Sequence, residues 1–171
     1  MANTYTLINS TSLSTTAASV TFSAIPATYD DLVVHISARA NNSALRALVK
    51  TTINSVTSGY SYTWVYGLSG SAGSARDSAA AYWDASDISA NTATSDTFGT
   101  LELYFPKYTG SQNKLGSTFG ASETNAANGV LVGTQALLVS STAAISSLKF
   151  EPNGGSFLSG STFWLYGISN S

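Results

Sequence analysis

The segment that decides the fold is Asp31–Arg39, which reads DLVVHISAR. Alternate residues of this segment are apolar and lie on one face of an extended chain: Leu32, Val34, Ile36 and Ala38. The segment Thr100–Phe105, TLELYF, alternates in the same way. Strands that are apolar on one face fit two sheets packed face to face, so both segments predict an antiparallel β-sandwich.

Short runs of apolar and β-branched residues, separated by Gly, Ser, Asn and Pro, predict nine strands along the chain. They are Thr4–Ile8, Ser19–Ile25, Asp31–Arg39, Ala44–Ile53, Ser61–Leu68, Thr97–Phe105, Gly129–Ser140, Ile145–Glu151 and Ser161–Ile168. Polar loops are predicted at Gly110–Ser117 and Gly120–Gly129. Since 171 residues suit one domain, the chain is expected to form a single all-β domain over 1–171, of jelly-roll type.

The stretch 67–96 is rich in Gly, Ser, Ala and Asp and is predicted to be a long inserted loop. Within it, Asp77–Ala85 is expected to form two turns of helix, because Ala favours helix and Asp77 can cap its start. The same stretch contains Tyr82 and Trp83, and such aromatic residues are rare in disordered segments. We therefore expect them to pack, either on the chain's own sandwich or on a neighbouring subunit or ligand.

Composition excludes several classes of function. Only 9% of the residues are charged, with 7 basic and 9 acidic side chains and a net charge of −2, so no basic patch for nucleic acid is expected. The chain has no Cys and a single His, which removes thiol catalysis, disulfides and multi-His metal sites. No apolar run approaches the ~20 residues that span a bilayer, and the N-terminus does not read as a signal peptide. We expect no metal, no cofactor and no membrane partner.

Few residues suggest catalysis. Asp84 and Asp87, beside Trp83, are the only acids grouped with an aromatic residue in the way that a sugar-cleaving site requires. The alternative is that these two acids only solubilise and turn a loop. His35 lies in mid-strand and is interpreted as a structural residue sheltered by a loop or an interface. The sequence therefore predicts no catalytic residue.

The aromatic row Tyr60, Tyr62, Trp64 and Tyr66 falls on one face of a single strand. Such a row could stack on the flat faces of sugars, with Tyr hydroxyls adding hydrogen bonds. It could equally form part of the core or a subunit contact, for which Tyr and Trp are favoured. Both interpretations stay open.

The last predicted strand is apolar on both faces. Phe163 and Leu165 share one face, whereas Trp164, Tyr166 and Ile168 share the other. In a chain with so few charges, we expect the second face to be covered by another subunit. The predicted subunit or capsid interface comprises Trp164, Tyr166, Ile168, Tyr82 and Trp83.

Several segments together resemble small virion proteins encoded by tailed bacteriophages. They are Tyr5–Ile8, Ser19–Val34, Leu103–Pro106, Tyr108–Ser111, Lys114, Ile145–Phe157 and Gly160–Ile168. The resemblance extends from about Tyr5 to Ser171, apart from 67–96. These are strand and turn patterns, so the resemblance implies a shared fold and a place in the virion, either as capsid decoration (cement) or as a tail-fibre component, and it implies no catalytic residue.

The expected function is that of a non-enzymatic cement protein that decorates and stabilises the capsid shell. It would be made in the host cytoplasm, form a homotrimer, and bind the major capsid protein on the outer surface of the head. A partner that binds only the assembled lattice stabilises that lattice by mass action. The alternative is a tail-associated receptor-binding module whose aromatic residues stack on host glycans.

Overall fold

The computed structural model describes residues 4–124 and 129–169, and this part of the chain contains twelve strands and no helix. The strands are β1 (Tyr5–Ser12), β2 (Val20–Phe22), β3 (Asp31–Ala38), β4 (Arg46–Ile53), β5 (Tyr60–Leu68), β6 (Ser71–Ala80), β7 (Trp83–Ser89), β8 (Gly99–Phe105), β9 (Lys114–Ser122), β10 (Leu131–Val139), β11 (Leu148–Pro152) and β12 (Thr162–Ile168). The predicted all-β class is confirmed.

The strands form two antiparallel sheets of unequal width. The larger sheet has the order β1-β12-β3-β8-β9-β10-β5-β6, and the smaller has the order β2-β11-β4-β7. Strands β1 to β4 alternate between the two sheets along the chain, and the pairs β7 with β8 and β11 with β12 do the same. Four of these eight strands lie in each sheet, and this is the topology of a jelly roll. The hairpins β5–β6 and β9–β10 are insertions that widen the larger sheet beyond β8.

Aromatic side chains join the two sheets in the core. Phe150 of the smaller sheet lies 6.1 Å from Phe163 of the larger one, measured between ring centroids. Trp83 and Phe105 are 6.0 Å apart and meet edge to face. All four side chains are fully buried. Edge-to-face pairs of this kind add about 0.5–1.5 kcal/mol to the free energy gained from burial alone.

Strands β6 and β7 occupy the stretch 67–96, so the predicted long loop and the predicted helix at Asp77–Ala85 are both wrong. Strand β6 pairs along β5, with Gly73 opposite Tyr66 and Ala75 opposite Trp64. The preference of Ala for helix is worth at most about 0.7 kcal/mol per residue over most other residues. Pairing along a whole neighbouring strand outweighs it.

Strand β9 runs into both segments predicted as polar loops, Gly110–Ser117 and Gly120–Gly129, so these predictions are also wrong, over 114–117 and 120–122. Its inward residues are small or polar because β7 lies close: the Thr118 hydroxyl donates to the Ala85 carbonyl at 2.8 Å. Its large apolar residues, Leu115 and Phe119, point outward and are exposed. In β9 the large apolar residues are exposed and the small or polar residues are buried. The sequence pattern therefore does not predict this strand.

Two buried cations fasten loops to the sandwich. Arg39, 6% exposed, donates to backbone carbonyls of Ala93, Thr94 and Thr97 at 2.7–2.9 Å. Lys114 donates to carbonyls of the neighbouring loops, including that of Thr142 at 3.2 Å, and burial lowers its pKa. These contacts give the loop carbonyls hydrogen-bond donors within the protein.

We predict that Trp83→Ala lowers the free energy of unfolding by about 3–5 kcal/mol, the usual cost of removing a fully buried aromatic side chain. The adjacent Tyr82→Ala, a half-buried position, should cost less than about 1 kcal/mol. Urea denaturation followed by circular dichroism measures both. Equal costs would contradict the assignment of Trp83 to the core.

Candidate functional site

The outer face of the larger sheet, which points away from the smaller sheet, carries an unusual amount of exposed apolar surface. Six large apolar side chains on it are between 48% and 56% exposed. They are Tyr5, Leu7, Val65, Leu115, Phe119 and Val132. Isolated exposed apolar residues are normal, but a set gathered on one sheet face indicates an interaction surface.

The strand register places the outward residues in rows across the whole sheet. One row runs through Val65, Thr134, Phe119, Glu102, His35, Trp164 and Ser10. The row contains one pair of ionisable groups: His35 Nδ1 lies 3.6 Å from a carboxylate oxygen of Glu102. His35 therefore has a partner in its own sheet and faces outward, half exposed.

Trp164 and Tyr166 lie on the outer face, as predicted, and both remain half-buried. The Tyr166 ring meets the rings of Tyr5 at 6.3 Å and His35 at 5.8 Å, in both cases edge to face. Ile168 is only 7% exposed, because neighbouring residues of the same chain cover it, so it offers little surface to a partner.

Charge is scarce on the outer face. Asp31 is buried there, accepting hydrogen bonds from the Tyr104 hydroxyl and the Lys107 backbone amide, both at 2.8 Å. The bond to Asp31 raises the pKa of Tyr104 to about 12. Apart from Asp31 and the His35–Glu102 pair, the outward residues of the eight strands include one further charged side chain, Arg76 on β6. The face is close to neutral.

The predicted interface residues Tyr82 and Trp83 lie elsewhere. Trp83 is fully buried, and its indole N–H donates to the side-chain oxygen of Gln135 at 3.0 Å, so its assignment to an interface is wrong. The sequence places an aromatic residue in a polar stretch, and its burial follows from the unpredicted strand β7. Tyr82 is half-buried, with the Lys50 ammonium 4.7 Å from its ring centroid.

The four aromatic residues of β5 share the inner face of the larger sheet but have different surroundings. Tyr60 belongs to the core, and its hydroxyl accepts from the Ile53 amide at 2.9 Å. The Tyr62 hydroxyl donates to Asp84 at 3.0 Å, and burial, followed by the charge of Asp84, raises its pKa. These contacts make Tyr60 and Tyr62 unsuitable as a sugar platform, which leaves Trp64 and Tyr66.

Trp64 and Tyr66 form the floor of a pocket of about 510 Å³, which we call the β4–β5 groove. Its other principal lining residues are Arg46, Leu68, Asp87 and Asn153. The two aromatic rings are 4.5 Å apart and inclined by 42°. A Cβ at Gly73 would lie 2.6 Å from the Tyr66 ring, and one at Gly133 would lie 2.5 Å from the Trp64 nitrogen. The two glycines leave the space that lets these rings lie against the sheet.

Arg46 and Asp87 form an ion pair at the wall of the groove. The Asp87 side chain is 2% exposed and that of Arg46 is 32% exposed. Burial lowers the pKa of Arg46. Asp87 is therefore committed to Arg46, whereas Asp84 bonds to Tyr62, so the two acids do not form the shared carboxylate site considered from the sequence. Sequence spacing gave no signal for Arg46, because β4 meets β5 only in the folded sandwich.

Within 4–124 and 129–169 no three His, Asp or Glu side chains gather as metal ligands, and no helix is long and apolar enough to cross a membrane. No protein-family model and no curated protein matches the chain. Among solved structures, the crystal structure of galectin LEC-6 from Caenorhabditis elegans is similar, with a TM-score of 0.38 and 12% identity over 95% of each chain. A similarity of this extent carries no argument about function.

We predict that Asp84→Asn stabilises the protein relative to the wild type more at pH 7 than at pH 4. Burial raises the pKa of Asp84, and within the described part of the chain one of its carboxylate oxygens has no hydrogen-bond partner. In the folded state the Asp84 carboxyl therefore keeps its proton at pH values above its ordinary pKa of about 3.9. The free energy of unfolding of the wild type falls as the pH rises from that ordinary pKa through the raised pKa of the folded state.

Urea denaturation at the two pH values measures the effect. Asp96→Asn, at an exposed turn position, serves as the control. A gain from Asp84→Asn that is the same at both pH values would contradict this assignment.

Proposed function

We propose that this chain is a non-enzymatic structural protein of a tailed-phage virion, which decorates and reinforces the capsid shell as a homotrimer. The observation that carries the proposal is the outer face of the larger sheet, which is broad, apolar and almost free of charge. The resemblance of the strand and turn segments to phage virion proteins supplies the setting.

The size of the outer face fits a stable contact between subunits. Eight strands of seven to ten residues, spaced by about 4.8 Å and rising about 3.4 Å per residue, cover roughly 1,100 Å². A standard interface buries about 800 Å² on each partner. The outer face can therefore supply one complete side of such an interface.

The occupant that we propose is a second copy of this chain. A partner recognised through charge would require a face rich in one sign of charge, whereas this face holds the His35–Glu102 pair, the buried Asp31 and Arg76. A neutral apolar face suits association with an equally neutral surface, and the chain as a whole has a net charge of only −2. A closed three-fold ring of copies matches the local three-fold axes of a shell.

Reinforcement of the shell follows from where such a trimer binds. A trimer that contacts several neighbouring major capsid proteins binds the assembled lattice and not its separated subunits. Binding of this kind stabilises the lattice by mass action and requires no chemistry. This proposal places the protein on the outer surface of the head.

We predict that Phe119→Glu weakens the oligomer at least tenfold, because it buries a charge without a partner in an apolar contact. Phe119 is already 53% exposed in the single chain, so the subunit should stay folded. Thr21→Glu, exposed on the smaller sheet, is the matched control. Sedimentation velocity gives the oligomeric state, and the urea midpoint reports on the fold.

Trp164→Ala and Tyr166→Ala extend this prediction to the other end of the outer face. Each should weaken the oligomer more than it lowers the free energy of unfolding. A wild-type protein that stays monomeric at high micromolar concentration would disprove the proposed assembly.

Shell binding has its own test. Purified protein added to phage heads that lack it should bind and raise their melting temperature, and Phe119→Glu should reduce both effects. Heads that neither bind the protein nor gain thermal stability would exclude the decoration role.

A further inference from the structure

The β4–β5 groove lies on the inner side of β5, opposite the outer face, and assembly through the outer face does not use it. We propose that the β4–β5 groove binds a neutral oligosaccharide, with Trp64 and Tyr66 as the stacking floor and Arg46 as the hydrogen-bond donor at the wall. The site is independent of the proposed capsid role, and it gives the receptor-binding alternative a defined location.

The floor of the groove has the shape that sugar stacking requires. Trp64 and Tyr66 are half-buried, so part of each ring stays accessible above the sheet. Gly73 and Gly133 allow the rings to lie against the strands, since any larger side chain would collide with them. The apolar C–H face of a pyranose packs on such rings, as other amphipathic ligands do on aromatic side chains.

The wall of the groove supplies donors that are fixed in position. The Arg46 side chain has five N–H donors, and Asp87 is the only hydrogen-bond partner of that side chain among the described residues. Asp87, held out of solvent, orients the guanidinium, while the one-third of Arg46 that is exposed faces the groove. Asn153, exposed at the rim, adds an amide that can both donate and accept. Sugar hydroxyls pair with groups of these kinds.

The charge balance selects a neutral ligand. Among the residues that the structure describes, Arg46 and Asp87 are the only charged ones that line the groove, and they neutralise each other. A phosphate or a polyanion would need a surplus of positive charge, which this wall does not offer. A cationic ligand would face the exposed guanidinium.

Two adjoining cavities indicate a ligand longer than one sugar. A second pocket of about 480 Å³ shares Arg46, Tyr66, Leu68 and Gly129 with the first and continues toward Ser69 and Ser71. Each volume lies within the range of about 300–1,000 Å³ typical of small-molecule sites. The Arg46–Tyr66 pair thus stands between two neighbouring subsites.

Two buried polar atoms at the groove have no hydrogen-bond partner among the described residues: the indole nitrogen of Trp64 and the side-chain oxygen of Asn42. Folded proteins pair nearly all such atoms with protein or water. The Trp64 nitrogen lies against Gly133, on the sheet side of the stacking ring, so the Asn42 oxygen is the atom that can accept a sugar hydroxyl after a small side-chain rotation.

The test is an array of neutral and acidic oligosaccharides probed with the purified full-length protein. We expect retention on neutral oligosaccharides of two or more units and about a tenfold loss of affinity in Trp64→Ala. Tyr82→Ala, which removes a half-buried aromatic side chain outside both the groove and the outer face, should bind as the wild type does. Tyr66→Ala provides a second groove variant if Trp64→Ala does not fold, as judged by its urea midpoint.

Three results would overturn the proposal: no retention of any neutral oligosaccharide, retention of acidic ones alone, or retention that is unchanged in both folded groove variants. Sedimentation of the same variants keeps the two proposals apart. Trp64→Ala should leave the oligomer intact, and Phe119→Glu should leave sugar binding at each subunit intact.

Discussion

The packing of β7 onto the larger sheet is the contact on which the rest of the structure depends. Trp83 inserts between Phe105 and Gln135, so the edge strand of the smaller sheet is fixed against β8 and β10. Thr118 bonds to the β7 backbone, and a Cβ on Gly120 would collide with Ser86. Because the smaller sheet ends at β7, the hairpin β5–β6 extends past it. The four strands of the smaller sheet do not cover this part of the larger sheet, and the β4–β5 groove lies in the uncovered space.

Most of the strands could be predicted because their sequence alternates in step with burial. In β3, the residues Leu32, Val34 and Ile36 are all buried on the core side, as their spacing predicts. Strands β6, β7 and β9 could not be predicted in this way. Strand β6 lies at an exposed edge, β7 is buried on both faces, and β9 turns Thr118 inward and Phe119 outward. Apolar residues alternate with polar ones only where a strand buries one apolar face and exposes the other face to solvent. None of these three strands is of this kind.

The candidate site was predictable only in part, for a related reason. Alternation correctly puts Trp64 and Tyr66 on one face of β5, but it cannot separate them from Tyr60, which the core covers completely. That difference depends on where the smaller sheet ends. Arg46 and Asp87 come from β4 and β7. They line the same groove as Trp64 and Tyr66 only because the two sheets pack together. Long-range contacts of this kind leave no trace in local spacing.

The two proposed surfaces share β5, and the pleat of that strand is what separates them. Val65 points to the outer face, whereas Trp64 and Tyr66, its neighbours in the chain, point to the groove. The sheet is one backbone layer thick, so a partner on the outer face and a sugar in the groove never compete for the same atoms. The outer face of a subunit can therefore be covered while the groove of the same subunit stays open on the opposite side of the sheet. An oligomer built in this way presents several identical grooves, and weak binding at each becomes strong binding to a surface that repeats the same sugar.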